Sequence, residues 1–261
     1  MKISLEGKKA LIGGSSGGIG KAIAEQLAQS GASVTLMSRS ESKMISIIEN
    51  LSNDLGQNHQ YLMVDFNDYQ AYKVIIFDYF KKNTVDILIN NTQGPKAGGA
   101  LEKTVDDYQT AFDLLFKSVV FTTEFSLKQM QKQKWGRIIN VASVSIKEPL
   151  NYLALSNTIR AAVVTWGKSL SIDVAKDGIT VNNILTGYFD TDRIAQLNVK
   201  KAEKLGVTEQ EVRKTMENNV PAKRIGKPEE YGFLVAFLAS DKASYINGTN
   251  IPIDGGLLKS L

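Results

Sequence analysis

Cysteine is absent from the 261-residue chain, and His59 is its only histidine. The lack of cysteine excludes disulfides, thiolate nucleophiles and cysteine metal ligands. A single histidine, with no second one at the spacing of a zinc motif, argues against a zinc centre and against a Ser-His-Asp hydrolase. We therefore expect no metal site. His59 directly precedes an apolar run, and we place it on the surface.

Proline and long apolar runs are also scarce. Five prolines occur, and no low-complexity stretch or repeat divides the chain, which favours one domain over residues 1–261. No run of about eighteen apolar residues and no N-terminal signal-peptide pattern is present. The net charge of +4 comes from interspersed acids and bases, not from a basic patch. We expect a cytoplasmic protein that contacts neither membrane nor nucleic acid.

Short apolar runs alternate with amphipathic helical patterns along most of the chain. We predict strands over residues 10–12, 34–37, 61–64, 87–89, 137–141, 179–184 and 250–253. We predict helices over residues 21–30, 42–55, 69–81, 105–131, 154–175 and 229–239. The alternation indicates an α/β fold with a doubly wound, parallel, seven-stranded sheet, a single Rossmann domain. Ligands of such sheets bind beyond the carboxyl ends of the strands, so we expect chemistry in the residues that follow each strand.

The clearest functional signal is the segment KKALIGGSSGGIG at residues 8–20, where an apolar strand enters a glycine-rich loop and then a helix. Glycine tolerates positive φ and has no Cβ, so a pyrophosphate can approach the backbone while the helix N-terminus attracts its charge. The loop opens a βαβ unit, which is the context of a dinucleotide site. The residues expected to hold the cofactor, with hydroxyl contacts from the two serines, are Gly14, Ser15, Ser16, Gly18, Ile19 and Gly20.

Polar residues follow the next strands at the same edge of the predicted sheet. Arg39 stands where an acidic residue would bind the ribose of NAD, and a cation there suits the 2′-phosphate of NADP. Asp65 is placed to bond the adenine amino group, and Asn91 lies near the expected ribose. We expect NADP(H) as the favoured cofactor, with NAD(H) as the alternative.

These motifs resemble the short-chain dehydrogenase/reductase family, and within it the 3-oxoacyl carrier-protein reductases. GGSSGGIG at residues 13–20 resembles the family's TGxxxGxG loop, and NNTQG at residues 90–94 resembles its NNAG. GITVNNILTG from Gly178 resembles VNxxxPG, and RIGKPEE and INGTNIPIDGG resemble the closing segments. The resemblance spans nearly the whole chain. It implies reduction of a carbonyl compound or acyl thioester with a nicotinamide cofactor.

The resemblance fails at the catalytic set, where the family uses asparagine, serine, tyrosine and lysine. Ser143 matches the serine. Counting without gaps places Ser156 on the tyrosine, Arg160 on the lysine and Leu115 on the asparagine, so that SNTIR replaces YxxxK. A serine hydroxyl is a much weaker acid than a phenol, and arginine does not pass a proton as lysine does. Arg160 can still hold the ribose hydroxyls, and it shares a helical face with Ser156 four residues earlier.

Other residues are candidates for the missing roles. Two tyrosines could present a phenol to a substrate carbonyl: Tyr152, one turn before Ser156, and Tyr188, after the sixth strand. Tyrosines in such positions more often serve packing. Gln93 replaces the glycine of NNAG and is expected to add an amide near the nicotinamide. The resemblance implies that Thr191 bonds the nicotinamide carboxamide.

Residues 188–220 form a polar two-helix insertion, which we interpret as a substrate lid. Its lysines and arginines could meet an acidic substrate or carrier, but a solvated helix face is the simpler explanation. Two functions remain open at this point: an NADP(H)-dependent reductase, or a nucleotide-binding protein with lost or weak redox activity that acts as a sensor or partner subunit. The resemblance also implies a homo-oligomer, a dimer or tetramer, formed through the helices at residues 105–131 and 154–175.

Overall fold

The computed structural model describes residues 2–260 and contains a seven-stranded sheet in which every pairing is parallel. The strand order is β3-β2-β1-β4-β5-β6-β7. The strands are β1 Lys9–Gly13, β2 Ser33–Ser38, β3 Gln60–Met63, β4 Ile87–Asn90, β5 Gly136–Val141, β6 Ile179–Thr186 and β7 Asn250–Ile253. The predicted doubly wound fold is confirmed, and the order reverses between β1 and β4, where a crevice is expected.

Nine α-helices connect the described strands. They are α1 Gly18–Gln29, α2 Glu41–Ile48, α3 Tyr69–Phe80, α4 Val105–Phe112, α5 Ser118–Gln133, α6 Ala154–Val174, α7 Asp192–Leu205, α8 Glu209–Asn219 and α9 Pro228–Ala239. Alternate residues of β1 point to opposite faces, so that Ala10 and Ile12 pack with α1, α2 and α9, while Leu11 packs with α3, α5 and α6. This alternation buries both faces of the sheet, as parallel sheets require. Among residues 2–260, no helix combines the length and apolarity that crossing a membrane demands.

Three predicted helices differ from the structure by more than one residue at an end. Helix α1 begins at Gly18, earlier than predicted, and α2 ends at Ile48, seven residues early. Asn50 donates its side-chain amide to the Ser46 carbonyl oxygen at 2.7 Å, which satisfies a carbonyl at the end of α2. The predicted helix over 105–131 is interrupted by a π-helical segment, Asp113–Lys117, between α4 and α5. The apolar periodicity of this stretch does not reveal a single wider turn.

His59 is half-buried at the surface and forms hydrogen bonds through both ring nitrogens. Its Nδ1 accepts a hydrogen bond from the Val34 amide at 3.2 Å, and its Nε2 lies 2.8 Å from the Ser52 carbonyl oxygen. The Val34 amide can only donate and the Ser52 carbonyl oxygen can only accept, so the two ring nitrogens have different roles. The imidazole therefore connects the start of β2 to the loop after α2.

A ladder of four asparagines crosses the carboxyl half of the sheet. Asn90 donates to Asn140, Asn140 donates to Asn183, and Asn183 donates to Asn250, each through side-chain amides at 2.8 Å. The four residues are direct partners in the β4–β5, β5–β6 and β6–β7 registers. Gly167 of α6 lies against the ladder, and a Cβ at this glycine would lie 2.9 Å from Asn140 Nδ2. A shift of any strand by one residue would leave buried amides without partners, so the ladder specifies register.

We predict that Asn140→Ala lowers the free energy of unfolding by about 2–4 kcal/mol, because it removes two hydrogen bonds and leaves a buried amide of Asn183 with one partner fewer. Urea denaturation followed by circular dichroism measures the change. Asn53→Ala, at an exposed position, is the matched control and should alter stability by less than about 0.5 kcal/mol. Equal stability of the two variants would show that the ladder adds nothing.

Candidate active site

The glycine-rich loop is held against the end of β4 by very close backbone contacts. A Cβ at Gly13 would lie 2.1 Å from the Asn91 carbonyl oxygen, and Asn91 Nδ2 donates to the Gly13 carbonyl oxygen at 2.9 Å. Gly14 adopts φ +56°, and a Cβ at Gly20 would lie 2.2 Å from the Gly14 carbonyl oxygen. Gly17, in contrast, has open space around its missing Cβ. The loop is thus rigid at its base and open at its tip, as a phosphate cradle must be.

Ser15 does not face the crevice, and the predicted hydroxyl contact from this residue is wrong. Its side chain is fully buried, and its Oγ donates to the Ile12 carbonyl oxygen at 3.0 Å and accepts from the Met37 amide at 2.9 Å. Its own amide donates to the Met37 carbonyl oxygen. Ser15 therefore joins the ends of β1 and β2. The half-buried Ser16 remains the hydroxyl candidate of the loop.

The insertion begins directly over this loop. A Cβ at Gly18 would lie 3.1 Å from Thr191 Cγ2, and Thr191 Oγ1 accepts from the Ile194 amide at the start of α7. Helices α7 and α8 pack through Ala202, Val212 and Met216, with Tyr188 and Ile194 against them. Thr191 thus lies between the glycine loop and the helical insertion, beside the expected cofactor.

At the other end of the crevice, Arg39 is exposed and lies 4.0 Å from an oxygen of Asp65. Asp65 Oδ1 accepts from both the backbone and the side-chain amide of Asn67. Gln93 reaches Asn67 as well, donating to its Oδ1 at 2.7 Å. The amide of Gln93 is therefore directed toward the loop after β3, and its predicted place near the nicotinamide stays a prediction.

Ser143 follows the end of β5, and Ser156 and Arg160 lie in the first two turns of α6. Ser143 Oγ accepts from the Ser145 amide at 3.1 Å. Arg160 Nε donates to the buried Ser156 Oγ at 3.3 Å, and Arg160 Nη1 donates to the Val141 carbonyl oxygen at the end of β5. The predicted shared face of Ser156 and Arg160 is confirmed. Because the guanidinium is held at both ends, it has a defined place beside the crevice.

Burial is the largest influence on the Arg160 guanidinium and lowers its pKa. Tyr231 opposes this effect, and the positive charge of Arg193 lowers the pKa further. Arg193 is an exposed residue in the first turn of α7, and its Nη2 donates to the Pro95 carbonyl oxygen at 3.4 Å. Two arginines from different elements therefore act on the same part of the crevice.

Tyr231 and Thr186 belong to this region, although the sequence analysis did not single them out. Tyr231 of α9 is completely buried, and its hydroxyl lies 3.0 Å from Thr186 Oγ1 at the end of β6. Burial raises the pKa of the Tyr231 phenol, so this group is a neutral hydrogen-bonding partner. The only available signal was a tyrosine within the otherwise apolar stretch of α9, which is also typical of core packing.

Tyr152 and Tyr188 are brought near each other. Burial raises the pKa of both phenols, and the proximity of Tyr188 raises the pKa of Tyr152 further. Tyr152 keeps 41% of its surface exposed, whereas Tyr188 packs against the helical insertion. Leu115 is buried within the π-helical segment and contributes an apolar side chain to the core. Among residues 2–260, no group of three or more metal-ligating side chains is assembled.

We predict that Gly13→Ala lowers the melting temperature by about 5 °C or more, because the new Cβ cannot share space with the Asn91 carbonyl oxygen. Thermal unfolding followed by circular dichroism measures the shift. Gly17→Ala is the matched control, because its Cβ enters open space and its φ of 175° suits any residue. A Gly13→Ala protein as stable as the Gly17→Ala protein would contradict the close contact.

Known proteins resemble this chain along its whole length. Residues 14–258 match the family described as Enoyl-(Acyl carrier protein) reductase. The 3-oxoacyl-[acyl-carrier-protein] reductase FabG of Aquifex aeolicus (strain VF5) is 31% identical over 262 residues, which cover 98% of this chain and 100% of the relative. The NADPH-dependent reductase BacG of Bacillus subtilis (strain 168) is 31% identical over 261 residues, covering 97% and 99%.

A solved structure extends the comparison to three dimensions. L-sorbose reductase from Gluconobacter frateurii, complexed with NADPH and L-sorbose, matches with a TM-score of 0.92 and 29% identity over 100% of both chains. Sequence and structure thus agree over the glycine loop, the seven-stranded sheet and the helices that flank it. On these grounds the chain belongs to the short-chain dehydrogenase/reductase family.

Proposed function

We propose that this protein is an NADPH-dependent reductase that converts a carbonyl group to an alcohol. The observation that carries the proposal is the loop formed by Gly13, Gly14 and Gly20, where backbone contacts and a positive φ exclude side chains, as a dinucleotide-binding loop requires. Relatives named as a 3-oxoacyl-carrier-protein reductase and an NADPH-dependent reductase support the reaction and the cofactor. When bound, NADPH supplies a hydride to the substrate.

The residues at the crevice fit such a cofactor. The loop and the N-terminus of α1 would hold the pyrophosphate, with Ser16 and Thr191 as hydroxyl donors. Arg39 would bind the 2′-phosphate, because its only ion-pair partner in the described chain, Asp65, is 4.0 Å away and leaves most of the guanidinium free. Arg160 would lie against the ribose, since it is fixed to the carboxyl end of β5.

Ser143 would bind the substrate carbonyl oxygen at the end of β5, and a phenol would supply the proton. Tyr152 is the better placed of the two candidate phenols, because it is partly exposed and lies one turn before Ser156. Arg160 would favour negative charge that develops on the oxygen, but it would not carry the proton, because a guanidinium stays charged near neutral pH. The proton must therefore come from a phenol, from Ser156 or from water.

A second function is favoured by a specific observation. Leu115 is buried in the core, and Arg160 uses two of its donors within the protein, which supports a loss of the proton relay that the resemblance implies at these positions. A protein that binds the nucleotide without turnover, as a sensor or partner subunit, would have the same cradle. Binding of NADPH without its oxidation by any ketone or acyl thioester would favour this second function over the reductase.

We predict that Arg39→Gln weakens NADPH binding about tenfold and leaves NADH binding unchanged, because a charge-assisted hydrogen bond to the 2′-phosphate is lost. Isothermal titration calorimetry of both nucleotides measures the two dissociation constants. Lys43→Gln removes one exposed positive charge from α2 nearby and is the control for a general electrostatic effect. Equal weakening of NADPH and NADH by Arg39→Gln would assign this residue to a different contact.

We predict that Tyr152→Phe lowers kcat for NADPH oxidation about 100-fold, whereas Tyr188→Phe and the fully exposed Tyr245→Phe change it less than about fivefold. Because the pKa of Tyr152 is raised above its ordinary value, the phenol stays protonated, and kcat should be flat between about pH 6 and pH 9. Initial rates across this range measure both effects. An unchanged kcat in Tyr152→Phe would assign the proton to Ser156 or water.

A further inference from the structure

The sequence contains six arginines, and the structure divides them into two groups. Four form ion pairs with carboxylates: Arg39, Arg137, Arg213 and Arg224. The other two are Arg160 and Arg193, and no carboxylate within residues 2–260 lies within ion-pair distance of either. The charge of Arg193 also acts on Arg160, where it adds to the lowering of the pKa by burial.

Arg160 contacts the end of β5, and Arg193 contacts the loop that follows the neighbouring strand β4. Arg160 belongs to α6 and donates a hydrogen bond to the Val141 carbonyl oxygen at the end of β5. Arg193 lies in the first turn of α7 and contacts the loop after β4. A Cβ at Gly94 of this loop would lie 3.5 Å from Arg193 Nη2. β4 and β5 are neighbouring strands, so their carboxyl ends lie side by side.

Both guanidinium groups keep donors that no described residue occupies. A guanidinium carries five N–H donors, and Arg193 forms one hydrogen bond, through Nη2 to Pro95. Arg160 uses Nε and Nη1, which leaves its Nη2 group. Ribose hydroxyls can accept such donors but cannot neutralise the charge. Bringing two cations together without a counter-ion costs free energy. Burial lowers the pKa of Arg160, and the charge of Arg193 adds to this effect.

We propose that the crevice binds a carbonyl substrate that carries a carboxylate, with the carboxylate held between Arg160 and Arg193 and the carbonyl near Ser143. An oxo acid of this kind supplies the missing counter-charge and accepts the free donors of both arginines. The proposal rests on the reductase function for its reaction. The anion site itself rests only on the two arginines.

Acetoacetate and its methyl ester are suitable probes, because they share the ketone and differ in charge. We expect the purified full-length protein to bind acetoacetate at least about tenfold more tightly than the ester, measured by calorimetry with and without NADP⁺. Arg193→Gln should reduce this preference about tenfold, and Arg193→Lys should restore part of it. Lys204→Gln removes one positive charge from the same helix about 16 Å away and should leave the preference unchanged.

The outcomes separate the anion site from the reductase function. Equal affinity for acid and ester would overturn the proposal, as would an Arg193→Gln protein that loses NADPH affinity while it retains the preference for the acid. The latter result would assign Arg193 to the phosphates of the cofactor. Because the readout is binding, a preference for the acid without NADPH oxidation would support the anion site and contradict the reductase. Oxidation of NADPH by the ester at the same kcat/KM as by acetoacetate would support the reductase and contradict the anion site.

Discussion

The asparagine ladder across β4, β5, β6 and β7 is the constraint on which the crevice depends. Parallel strands have evenly spaced backbone hydrogen bonds, so backbone pairing alone does not distinguish one register from a neighbouring one. A chain of buried amides does, because each amide finds its partner in one register only. The ladder aligns the carboxyl ends of the four strands. Asn91, Ser143 and Thr186, which follow or end three of them, consequently lie at one edge.

Arg160 links the crevice to the aligned strands. Its guanidinium spans from α6 to the Val141 carbonyl oxygen at the end of β5, so its position follows that strand. Gly167 on the same helix lies against the ladder, where a side chain would collide with Asn140. Helix α6 is therefore fixed to the sheet at two levels, by close packing at Gly167 and by a charge at Arg160. A residue whose charge must stay close to a ligand benefits from such support, because little freedom remains to be lost on binding.

Local patterns predicted the parts of this protein that depend on neighbours in sequence. The seven strands and the glycine loop follow from periodicity and spacing, and the structure contains them. The family resemblance singled out Ser156 and Arg160, and their spacing predicted the shared helical face that the structure shows. Contacts between distant segments decided the rest. The Ser15 hydroxyl accepts a hydrogen bond from the Met37 amide, and the Gln93 side chain donates to Asn67. No sequence pattern around Ser15 or Gln93 indicates these partners. The role of each residue in binding or catalysis depends on its contacts with bound ligands, so these roles stay predictions.

An arginine at position 160, where the family resemblance implies a lysine, would have consequences beyond the proton relay. A guanidinium is planar, keeps its charge even when buried, and forms hydrogen bonds in a fixed fork. Such a group suits an anion better than it suits a relay, in which the charge must move. Thr186 and Tyr231 present a neutral polar pair in the same region. These changes all favour a crevice that holds negative charge in place, and they make proton supply the task of a separate side chain.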